Sequence, residues 1–62
     1  MTDREQLIEE IRKQLKALKE GVGSPDSLAM AHKLAKSYSF PVQEIRAIVR
    51  KEAEAAGVQL VD

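Results

Sequence analysis

This chain predicts an all-α fold, a compact three-helix domain, and three observations carry that expectation. Apolar residues recur at three- and four-residue steps in three separate stretches. Two short joints, marked by Gly21, Gly23 and Pro25 and then by Pro41, divide the stretches. Almost no cluster of β-branched or aromatic residues alternates at period two, so a sheet is not expected. The predicted helices run over about 3–20, 25–37 and 41–56. All of 1–62 is read as a single domain with a short C-terminal tail at 58–62.

The first helix opens on Thr2-Asp3-Arg4-Glu5, which fits a capping box. Leu7, Ile8, Ile11, Leu15, Leu18 and Val22 follow as its apolar stripe. Acidic residues crowd its start and Lys16 and Lys19 its end, an order that complements the helix macrodipole. Gly21 is expected to end it as a left-handed cap.

Ser24-Pro25-Asp26-Ser27 is the second start signal, with Ser24 as the expected cap and Pro25 at the first helical position. Leu28, Ala31, Leu34, Ala35 and Tyr38 form the inward stripe, with Met30 on its flank. The small alanines at 31 and 35 would admit another helix closely. Helix two should stop before Pro41, because a residue preceding proline is pushed out of helical geometry. Pro41 then opens helix three, whose stripe is Val42, Ile45, Ile48, Val49, Ala53 and Ala56, with Gly57 as terminator. Val58 or Leu60 is expected to cover the open end of the core. The expected core is Leu7, Ile11, Leu15, Leu18, Leu28, Leu34, Ile45, Ile48 and Val49. Short joints favour antiparallel packing of helix one on helix two, with helix three crossing at a steep angle.

Composition narrows the function classes. Without cysteine the chain has no disulfide and no thiolate metal site, and the single His32 cannot assemble a zinc site alone. No metal or other cofactor is therefore expected. No nucleophile–histidine–acid order, glycine-rich phosphate loop or HExxH spacing is present, so no enzyme is expected. No apolar run approaches the ~18 residues of a membrane span, and no signal-peptide layout appears. The expectation is a cytoplasmic protein without a membrane partner.

Net charge is zero, which counts against strong non-specific nucleic-acid binding. Its distribution is uneven. Residues 27–51 hold Lys33, Lys36, Arg46, Arg50 and Lys51 against Glu44 alone, net +4, while the segments on either side are net acidic. Gln43, Arg46, Ala47 and Arg50 share one side of helix three. Arg and Gln side chains can make paired contacts to base edges, and a small residue beside them allows close approach. Lys33 and Lys36 could reach flanking phosphates. The competing account makes Arg46 and Arg50 ordinary solvated residues, with Glu54 pairing to Arg50.

Over residues 25–56 the pattern resembles a helix-turn-helix in architecture, without the glycine often found in its turn. That resemblance implies a small non-catalytic binding protein, a DNA-binding regulator of transcription or an accessory factor. Its candidate nucleic-acid-binding residues are Lys33, Lys36, Gln43, Arg46, Arg50 and Lys51, and its partner would be double-stranded DNA. The alternative is a protein–protein interaction module with no nucleic-acid role. Ile8, Ile11, Leu15, Leu18 and Val22 follow the 3-4-3-4 spacing of a coiled-coil seam, which would allow self-association or docking of a partner protein through helix one.

Overall fold

Local start and stop chemistry places all three helices. A computed structural model describes residues 2–61, so the two end residues of the expected 1–62 domain lie outside the described residues. The helices are α1 (Asp3–Lys19), α2 (Ser27–Ser37) and α3 (Val42–Ala56). Thr2 caps α1, its hydroxyl accepting from the Glu5 amide at 3.2 Å. Gly21, with φ at +84°, ends it. The Val22 amide donates to the Ala17 carbonyl and the Gly21 amide to Leu18, so the last carbonyls keep partners. Gly57, at φ +73°, ends α3 by the same two-bond device, with Val58 donating to Ala53 and Gly57 to Glu54.

α2 begins two residues later than the Ser24-Pro25 signal suggests. Its cap is Asp26, whose carboxylate accepts from the Leu28 and Ala29 amides, each at 3.1 Å. Pro25 stays outside the helix because its carbonyl is used elsewhere, accepting from the Val61 amide at 2.6 Å. The Val61 carbonyl in turn accepts from the Ser27 amide at 3.1 Å and from its hydroxyl at 3.4 Å. This bridge between Asp26 and Val61 is parallel and isolated, and there are no strands among the described residues. It explains how Ser27 can be fully buried, since its polar atoms bond the tail. The tail also lays Val58 and Leu60, both half-buried, against the core as expected.

The direction of each helix follows from these contacts. The start of α2 meets the tail that leaves the end of α3, so α2 and α3 are antiparallel. Arg4 pairs with Glu44 at 3.5 Å and Arg12 with Glu52 at 2.6 Å. Both pairs advance together along the two helices, so α1 and α3 are parallel. α3 is the hub. It packs closely on both other helices, whereas α1 and α2 hardly approach one another. Helix one on helix two, the packing short joints suggest, gives way to α1 on α3. The three helices still close tightly. A radius of gyration of 10.5 Å matches the scaling for a packed chain of this length.

One core holds Leu7, Ile11 and Leu15 from α1, Met30, Ala31 and Leu34 from α2, and Ile45, Ile48, Val49 and Ala53 from α3. Four positions depart from the expected stripe. Leu28 is 42% exposed and Met30 only 7%, because starting the helix at Asp26 and burying Ser27 turns the inward arc toward Met30. Leu18 is half-buried against the core. Val22 uses its amide in the cap, but its side chain is 61% exposed.

Candidate nucleic-acid interface

The joint before α3 sets how that helix is presented. Tyr38 ends α2 in an extended conformation, φ −124° and ψ 149°, and its amide donates to the Leu34 carbonyl at 2.9 Å. Pro41 is extended as well, φ −60° and ψ 145°, and leads into α3 without a side-chain cap. No residue of this joint has positive φ, so the glycine common in such turns is not needed here. Tyr38 and Phe40 pack partly against the core and fix the turn.

Each arc of α3 then has a separate task. Ile45, Ile48, Val49 and Ala53 are buried. Glu44 and Glu52 lie on the α1 side, held by Arg4 and Arg12. At about 100° per residue, Arg46 falls on the opposite edge of the buried stripe, the edge that α2 covers, and it is half-buried. Gln43, Ala47, Arg50, Lys51 and Glu54 remain on the exposed outward face. Of the six candidate residues, Gln43, Arg50 and Lys51 thus share one surface, with Arg46 at its margin. Lys36 is exposed near the end of α2. Lys33 faces elsewhere. It lines a furrow between α1 and α2 together with Glu10 and Gln14.

The Arg12–Glu52 bond, at 2.6 Å, is shorter than the 3.5 Å Arg4–Glu44 pair that also joins α1 to α3. That hydrogen bond, followed by the attraction of the Glu52 charge, raises the Arg12 pKa above its ordinary value, and Glu9 adds a smaller favourable field. Glu52 is the more enclosed partner, with a side chain 17% exposed against 67% for Arg12. Periodicity along single helices does not reveal these pairs. A signal was nevertheless present, since Arg4 and Arg12 repeat the eight-residue spacing of Glu44 and Glu52. Among the described residues, no group of three His, Cys, Asp or Glu side chains is placed to hold a metal ion. No helix there is long and apolar enough to cross a membrane. Comparison with protein-family models, with curated proteins and with solved structures gives no match.

Proposed function

We propose that this chain is a small non-catalytic binding protein, a DNA-binding regulator or accessory factor that presents the outward face of α3 to the major groove. The disposition of acids on α3 supports this reading best. Glu52 is turned in toward Arg12, away from Gln43, Arg50 and Lys51, and Glu44, which shares the side of Lys51, has its charge partnered by Arg4. Glu54 and, at the edge, the Arg4-paired Glu44 are the acids near those residues. Ala47, at the centre of the face, leaves room for close approach to a base edge.

The mechanism is electrostatic docking followed by base contact. Lys51 and Lys36 bond backbone phosphates and set orientation, while Gln43 and Arg50 reach base edges. Because the whole chain is neutral, one copy binds weakly and its affinity falls steeply with salt. The test is a titration with mixed-sequence duplex at low salt, followed by amide chemical shifts. Shifts should concentrate at 43–51. Arg50→Ala should cost ~1–3 kcal/mol and relax preference at one base position, whereas Lys51→Ala should weaken all sequences alike. Lys33→Ala should change little, since that side chain faces the α1–α2 furrow. Unmoved resonances at 43–51 would end the DNA reading. A protein–protein interaction module is the second reading, favoured by the apolar character of that same furrow.

A further inference from the structure

α1 and α2 both pack on α3 but hardly on each other, and the gap between them is an open furrow of about 390 Å³. Ala17, Leu18 and Met30 supply its apolar lining, and the exposed Val22 extends it. Its two rims are opposite in charge. Glu10 stands on the α1 rim, accepting a 3.4 Å hydrogen bond from Gln14, and Lys33 stands on the α2 rim. Neither Glu10 nor Lys33 enters an ion pair among the described residues.

We propose that a second copy of this chain covers this furrow, related to the first by a twofold axis running along it. Rotation about such an axis lays α1 of each copy over α2 of the other. Glu10 then comes over the partner subunit's Lys33, and the symmetric contact repeats on the opposite rim. The apolar linings meet between the two rims. α1 is parallel to α3 and α2 is antiparallel to it, so the four furrow helices alternate in direction around the seam, as in an up-down bundle. A foreign helix would need its own matching charges, whereas a second copy supplies them by symmetry.

Area sets the strength of this association. A standard interface removes about 800 Å² from each partner, roughly a fifth of the 4360 Å² that one chain exposes. A contact confined to the furrow falls toward the low end, so the dimer is reversible and dependent on concentration. This inference rests on the interaction reading of the furrow and not on α3, whose outward faces point away from the seam.

Sedimentation equilibrium of the full chain, from micromolar to millimolar concentration at low ionic strength, tests it. A monomer–dimer equilibrium is expected. Glu10→Lys and Lys33→Glu, each placing like charges together, should weaken association by about tenfold. The double variant restores opposite charges and should recover wild-type association. Val22→Asp, at a position the fold leaves exposed, should also weaken it. Circular dichroism confirms that each variant keeps its helices. A wild-type chain that stays monomeric throughout overturns the proposal. So does a folded double variant that recovers nothing, or capture of a foreign helix by a chain that never self-associates.

Discussion

Leu15 and Leu28 show how far apart two leucines of one small protein can stand. Leu15 is 1% exposed, between α1 and α3, and Leu28 is 42% exposed at the start of α2. Truncating a buried leucine to alanine costs about 2–5 kcal/mol through lost transfer energy and the cavity left behind. A domain of this size has little stability to spare. Leu15→Ala should therefore be largely unfolded at room temperature, while Leu28→Ala should stay within about 0.5 kcal/mol of wild type. Paired thermal melts by circular dichroism read both outcomes. Equal destabilisation by the two would contradict this core. The misplacement of Leu28 from sequence has a definite cause. Periodicity fixes the spacing of a stripe, but the centre of the buried arc depends on what lies opposite. Here the tail lies opposite Ser27 and turns the arc toward Met30.

At the scale of elements, the ends of the helices were more legible than their packing. Gly21 and Gly57 announce their helix ends because each adopts the left-handed conformation that glycine reaches at no steric cost. Thr2 announces its start by a hydroxyl three residues from Glu5. The start of α2 was ambiguous because Ser24, Asp26 and Ser27 are all competent caps. A contact thirty-odd residues away decides among them, since the Val61 amide claims the Pro25 carbonyl. Asp26→Ala should cost about 0.5–2 kcal/mol, the usual range for a lost cap. Ser24→Ala should be close to neutral in the same denaturant titration. The reverse order would show that α2 starts where its proline suggests. The partner of α1 was not legible in this way. Short joints argue for neighbours in sequence, but the chain places Arg4 and Arg12 on glutamates forty residues away.

At the scale of the whole molecule, the tail is the clasp that joins the end of α3 to the start of α2. Val61 exchanges backbone bonds with Pro25 and Ser27, while Val58 and Leu60 cover the core. Ending the chain at Gly57 should strip those apolar contacts and leave Ser27 without the carbonyl it bonds. The loss should be several times that of a surface substitution and should lower the denaturation midpoint clearly. A truncated chain that melts with wild type would reduce the tail to an ornament. Of the candidate DNA face, sequence gave the residue types and the shared side of Gln43 and Arg50. It could not place Lys33 on another surface or turn Glu44 toward α1, because both outcomes depend on which helix packs where.

That α3 is the hub also bears on how the protein comes into being. A ribosome delivers α1 first, and the helix that will cover Leu7, Ile11 and Leu15 is the last one made. At about 5–20 residues per second, α1 waits some seconds for its partner. A single helix of that length is only marginally stable in water. α2 gives it less shelter than α3 does, because the backbones of α1 and α2 come close at few positions. Burial of the Leu7, Ile11 and Leu15 stripe therefore waits until α3 has been made.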